Sequence, residues 1–191
     1  MKTKHLYAVL FVSAFFLTVL SSCRFGCVKG SGHKITESHK MGDFTQIDIS
    51  GGFKVNLKQD SSLDVTINGD DNLMKYIRTS NEGDKLRIYT KKNLCPSGEI
   101  TINIGVKNLE GIKTSGAIEI NSDGKLNTKD LSIHTSGGSK ITMDLDAANL
   151  ETEGSGASEI NLKGQATSHK LHLTGSGKIN AFDFVVGSYD I

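Results

Sequence analysis

A chain of 191 residues with 22 Lys and Arg against 21 Asp and Glu carries a formal charge of +1. That balance supplies no electrostatic attraction for nucleic acid, which is not expected as a partner. Aromatic residues make up 6% and Trp is absent, so stacking platforms for bases or sugars are scarce.

The first 22 residues read as an export signal. Lys2 and Lys4 give a basic start, and Leu6 to Leu20 is a mostly apolar stretch containing Phe11, Phe15, Phe16 and Leu17. It is too short for a stable membrane span and has the layout of a secretory signal. It runs into Leu20-Ser21-Ser22-Cys23. Small residues ahead of a cysteine resemble the lipobox of bacterial lipoproteins, where cleavage leaves the cysteine as the lipid-modified first residue. The plain alternative is a signal peptide followed by an ordinary cysteine. Cys23 is therefore the expected lipidation site, and its lipid the expected membrane contact, at the outer membrane. Cleavage there removes Lys2 and Lys4 and takes the charge from +1 to −1. Arg24 to Gly32 contains no acidic residue, which favours the periplasmic face over the cell surface. Export permits Cys27 and Cys95 to pair as a disulfide, although their separation does not by itself establish one. No Cys-X-X-Cys or Cys/His spacing suggests zinc.

Residues 23–33 are short and glycine-rich and read as a flexible, lipid-anchored tether to a domain over 34–191. Phe44 to Ile49, Phe53 to Leu57, Leu63 to Ile67, Leu86 to Tyr89 and Ile100 to Ile104 alternate apolar with polar residues and predict strands. One short helix is predicted from Asp70, with apolar residues at Leu73, Met74, Tyr76 and Ile77. Asp70, Asp71 and Asn72 could form a calcium site, but no EF-hand-like ligand spacing follows. They are read as an N-cap and turn, and no metal or cofactor is expected.

In the second half a Ser-Gly element recurs at Ser115, Ser136, Ser155 and Ser176, spaced by 21, 19 and 21 residues. A period near twenty with strands on both sides predicts an all-β solenoid of stacked parallel strands. Using the serines as register, Glu110, Leu131, Leu150 and Leu171 share a column, and Ile120, Ile141 and Ile160 share an inward one. Glu119, Lys140, Glu159 and Asn180 share an outward column of alternating charge. Each coil must turn sharply, so Gly51, Gly52, Gly116, Gly137, Gly156 and Gly177 are the predicted structural turns.

Gly177-Lys178-Ile179-Asn180, with Ser50-Gly51-Gly52-Phe53-Lys54-Val55 and Asn72 to Ile77, resembles the head GIN domain family of auto-transporter adhesins, common in Bacteroidetes-type bacteria. The resemblance covers residues 27 to 191. It implies a right-handed parallel β-helix, usually a lipoprotein, with no established catalytic residues. Family members usually carry one or two further coils. Val186 to Ile191 aligns with Ala166 to Leu171, so the next Ser-Gly is expected near position 196, and the terminal edge is a candidate for end-to-end self-association.

Two functional classes follow. The expected one is a non-enzymatic envelope lipoprotein that offers a flat face to a protein or glycan, for adhesion or scaffolding. The alternative is a polysaccharide lyase or hydrolase, with Glu151 and Glu153 beside His134 and His172 as acid and base. A metal at His169 and His172 lacks an obvious third ligand. The Ser-Gly serines are assigned to corners rather than to nucleophiles. Labelled palmitate is expected to enter the wild-type protein and not Cys23→Ser; equal labelling of the two removes the lipoprotein assignment.

Overall fold

The computed structural model describes residues 26–191; Cys23 and the expected signal peptide lie outside them. The alternating segments form twelve strands: β1 (Val28–Lys29), β2 (Lys34–Lys40), β3 (Gln46–Gln59), β4 (Asp64–Asp70), β5 (Ile77–Glu82), β6 (Lys85–Thr90), β7 (Leu94–Cys95), β8 (Thr101–Val106), β9 (Gly111–Gly137), β10 (Lys140–Gly156), β11 (Glu159–Gly175) and β12 (Lys178–Asp190). The helix α1 spans only Asp71–Met74.

A ten-stranded sheet runs β12-β11-β10-β9-β3-β8-β4-β2, with β6 branching from β3 and β5 from β6. The fold is all-β, and the sheet is mixed and not closed. Pairing is parallel from β8 through β3 to β12. The N-terminal part departs from an all-parallel stack: β2–β4, β4–β8 and β5–β6 are antiparallel. The last is a hairpin closed by two residues, with Gly83 at φ +68°. So short a link can only join antiparallel strands.

Strand parity sends alternate side chains inward, and pairing lines them up. Val55, Ile120, Ile141 and Ile160 stack in one fully buried column that continues into Ile102 and Ile179. At ~25 cal/mol per Å² of apolar area removed from water, such columns supply the main stabilising term.

Five glycines set the register. Gly51, Gly116, Gly137, Gly156 and Gly175 stack at successive corners with φ of +135°, +104°, +87°, +88° and +85°. A Cβ on Gly137 would lie 2.8 Å from the Gly116 oxygen, on Gly156 2.8 Å from the Gly137 oxygen, and on Gly175 2.9 Å from the Gly156 oxygen. Those oxygens are already engaged. They accept the backbone N–H of Gly138, Ala157 and Ser176 at 3.0, 2.9 and 2.9 Å. Left-handed backbone and close approach together require glycine.

Two predicted turns are corrected. The last corner is Thr174-Gly175, which pairs with Ser155-Gly156; Gly177 lies two residues beyond it without positive φ. Gly52 also lacks positive φ, and a Cβ there would find its nearest neighbour at 4.0 Å. The register of the last full coil shifts accordingly. Leu171 pairs with Thr152, His169 with Leu150, and Lys178 rather than Asn180 with Glu159.

The predicted tether is also corrected from residue 27 onward. Strand β1 pairs in parallel with β7, and the sulfurs of Cys27 and Cys95 are bonded with Cα atoms 5.6 Å apart. Val28 N–H donates to the Asn93 carbonyl and Gly30 N–H to that of Cys95, each at 2.9 Å. In the chain-entropy view, closing a loop of 68 residues restricts the unfolded chain by about 4 kcal/mol.

The corner ladder makes a discriminating prediction. Gly156→Ala should lower unfolding stability by about 1–3 kcal/mol, because an L-residue is forced left-handed against a carbonyl. Gly52→Ala should stay within about 0.5 kcal/mol of wild type. Urea denaturation of both variants compares them directly, and equal losses contradict the ladder.

Candidate interaction face

The same parity sends the other half of each strand outward, and parallel stacking turns those residues into rows. One row is Lys54, Glu119, Lys140, Glu159 and Lys178, from β3, β9, β10, β11 and β12. The charge alternates at every step. Lys54 Nζ lies 4.0 Å from Glu119 and 3.5 Å from Glu99, and no other ion pair forms along this row among the described residues.

A neighbouring row escaped the repeat reading. Ser38, Thr66, Asn103, Asn56, Asn121, Thr142, Asn161 and Asn180 come one from each of eight strands and lie in register. Side-chain amides link parts of it. Asn56 Nδ2 donates to Asn103 Oδ1 at 2.8 Å, Asn103 Nδ2 to Thr66 Oγ1 at 3.0 Å, and Asn180 Nδ2 to Asn161 Oδ1 at 2.7 Å. The signal was an apolar–Asn dipeptide at Val55-Asn56, Ile102-Asn103, Ile120-Asn121, Ile160-Asn161 and Ile179-Asn180.

The residues of the enzyme alternative lie on another part of the outer surface. His134, Glu153 and His172 are in register on β9, β10 and β11, beside a second row of Ser132, Glu151 and Lys170. Ser132 Oγ is 2.8 Å from His134 Nε2, and His134 Nδ1 is 2.9 Å from Glu153 Oε2. This is the order of a nucleophile, a base and an orienting acid. Its setting is open: the concavity over His134, Glu153 and His172 is about 310 Å³ and faces solvent. Glu151 Oε1 accepts from Lys170 Nζ at 2.8 Å. That hydrogen bond holds the Glu151 carboxyl below its ordinary range, opposite to the raised value a glycosidase acid requires.

The two candidate metal histidines point to opposite sides. Three positions apart on one strand, they must differ in parity. His172 is exposed, whereas His169 is 1% exposed and edges against Phe184 and Tyr189. His169 Nε2 is 3.0 Å from Thr152 Oγ1, and Nδ1 has no partner. Burial pushes this imidazole down to about 4, so it is neutral at physiological pH. Among the described residues no group of three metal-ligating side chains converges.

Asp70 stands at the N-cap position of α1, as read, but its side chain is engaged elsewhere. Helix α1 receives no side-chain cap bond from it. Its buried carboxylate accepts the Ser97 hydroxyl at 2.5 Å, Ser97 N–H at 2.9 Å, Gly32 N–H at 2.8 Å and Lys34 Nζ at 3.4 Å. These donors fill its lone pairs and tie the N-terminal segment to the loop after β7.

Among the described residues the all-β domain presents in-register polar rows and open concavities. Residues 43–191 match the family model described as "Putative auto-transporter adhesin, head GIN domain", and the chain belongs to that family. Among solved structures it is similar to a putative adhesin from Bacteroides fragilis, at 23% identity and a TM-score of 0.80, covering 85% of this chain and 77% of that one. It is also similar to a putative lipid binding protein from Parabacteroides distasonis, at 22% identity and a TM-score of 0.67, covering 84% and 78%. A putative adhesin from Parabacteroides merdae matches at 24% identity and a TM-score of 0.64, covering 85% and 78%. At such identities the shared property is the fold. No curated protein matches the chain. No helix among the described residues is long and apolar enough to cross a membrane.

The Asp70 hub sets an acid limit. The Ser97 hydroxyl bond leads the causes that hold its carboxyl far below the ordinary range, against desolvation. A lowered folded value means that the stabilisation is present above about pH 4 and is lost as pH falls further. Asp70→Asn should therefore be less stable than wild type at pH 7, with the gap narrowing by pH 2.5 in urea titrations. A gap independent of pH contradicts this assignment.

Proposed function

We propose that the chain is a non-enzymatic adhesive module of the cell envelope, held by a lipid on Cys23 and binding its partner through the outer rows. The observation that carries this reading is the polar face itself: eight strands contribute in-register side chains to it. The family's naming for adhesion and the adhesins among its structural relatives support the same reading. Solenoids bind extended partners along such faces. The reading includes a right-handed parallel β-helix for the coils from β9 onward. It also includes a Cys27–Cys95 bridge that fastens the lipidated end to the domain. End-to-end association would use β12, where Phe182 and Val185 are 98% and 72% exposed.

The absence of acid between Arg24 and Gly32 supports an outer-membrane position on the periplasmic side. A scaffold there and a surface adhesin would use the same face and differ in side. Protease added to intact cells is expected to spare the protein and to cut it once the outer membrane is opened; cutting on intact cells places it outside. Deletion of the gene is expected to weaken envelope integrity or attachment, with rescue by the wild-type chain and not by Cys23→Ser. A deletion with neither defect removes the adhesive and scaffolding reading.

A further inference from the structure

The Asn row and the alternating-charge row lie side by side on one face, and their spacing limits what can bind both. Adjacent strands are ~4.8 Å apart, so the eight-membered Asn/Thr row runs about 34 Å across the sheet. In the charged row, like signs recur every second strand, about 10 Å. Lys54, Lys140 and Lys178 mark one sub-lattice, with Glu119 and Glu159 between them.

Three polymer classes can be compared with this spacing. An extended peptide repeats its same-face side chains every two residues, ~6.7 Å, and drifts out of phase within two strands. A nucleic acid strand carries a phosphate at every unit and meets a glutamate at every second position. In a linear β-linked polysaccharide, each ring advances by roughly one strand spacing. Successive rings are turned over, so like substituents return at every second ring. That two-step period matches the row.

We propose that the paired rows form a binding track for a linear β-linked polysaccharide with one carboxylate on every second sugar, lying across the strands. This rests on the adhesive reading above and names its partner class. Lys54, Lys140 and Lys178 face the carboxylates. Glu119 and Glu159 accept hydroxyl or amide protons from the intervening sugars. The Asn amides hold the chain in register. An amide offers two N–H donors and a carbonyl with two lone pairs, and the bonds along the row use only part of that capacity. Asn121 Nδ2 donates to Glu119 Oε1 at 3.0 Å and Asn161 Nδ2 to Glu159 Oε1 at 3.3 Å, so the two rows are coupled sideways and the glutamates are oriented. The lysines at 140 and 178 form no ion pair among the described residues and keep their charge for a ligand.

The test uses hyaluronan oligosaccharides, in which a uronic acid alternates with an N-acetylated sugar, and the purified domain in titration calorimetry. Binding is expected to strengthen with length up to about eight sugars, one per strand, and then level off. Chitin oligosaccharides of equal length, which lack the carboxylate, should bind at least tenfold more weakly. Lys140→Glu should weaken hyaluronan at least tenfold and Asn161→Ala severalfold. Lys113→Glu, exposed on β9 on the other side of the Gly116 corner and outside both rows, should leave it unchanged and controls for folding and bulk charge. Absence of hyaluronan binding, equal binding of polyglutamate or single-stranded DNA, or indifference to Lys140→Glu each overturns the track. If attachment or envelope integrity depends on the gene but not on Lys140, the track fails and the adhesive reading stands. If neither depends on the gene, the reading itself fails.

Discussion

At each glycine corner of the parallel ladder a glycine carbonyl oxygen occupies the place where the next glycine's side chain would begin. The same oxygen accepts a hydrogen bond from the following coil, as Gly137 does from Ala157 and Gly156 from Ser176. No side chain fits there, and no other backbone conformation makes the turn so tightly. The corner therefore fixes both the spacing of successive coils and their phase. Everything else about the face follows from phase, because a parallel ladder copies an error at one corner into every side chain that follows.

Once the phase is set, parity divides the chain into an interior and a surface. Inside, isoleucines stack from Val55 to Ile160. Four buried hydroxyls are paired in twos beside the corners. Thr114 Oγ1 is 3.0 Å from Ser139 Oγ, and Thr135 Oγ1 is 2.8 Å from Ser158 Oγ. These pairs satisfy hydroxyls that would otherwise be costly in an apolar core. Outside, one phase lines asparagines up with asparagines and lysines with glutamates. A charge column with little internal pairing contributes little to stability. Its regularity makes sense as a surface presented to something with a regular spacing of its own.

Much of this was legible in the sequence, and the exceptions have physical causes. Alternation located the strands, and the inward column of Ile120, Ile141 and Ile160 is buried as read. Val186 and Ser188 pair with Ala166 and Ser168 as aligned. The last full coil was misregistered because Gly175-Ser176-Gly177 offers two glycines two positions apart. A slip of two preserves parity, so hydrophobic alternation cannot detect it. It cost the charged row Lys178. Strand direction was invisible for a related reason: β2, β4 and β5 alternate just as parallel strands do. The role of Asp70 depends on Gly32, Lys34 and Ser97, residues distant in sequence that no local cap rule includes.

Because the outer rows exist only in this phase, the register between β11 and β12 is the point on which the face stands. Paired Cα atoms on adjacent strands lie ~5 Å apart, within the range of a disulfide, whereas a residue two positions further along lies about 8 Å away. The direct measurement is oxidation of two double-cysteine variants, read by mass spectrometry of the intact domain. Glu159→Cys with Lys178→Cys should close an intramolecular bridge readily, and Glu159→Cys with Asn180→Cys should not. Bridging of the second pair and not the first would place the last coil in the other register and dissolve the alternating row.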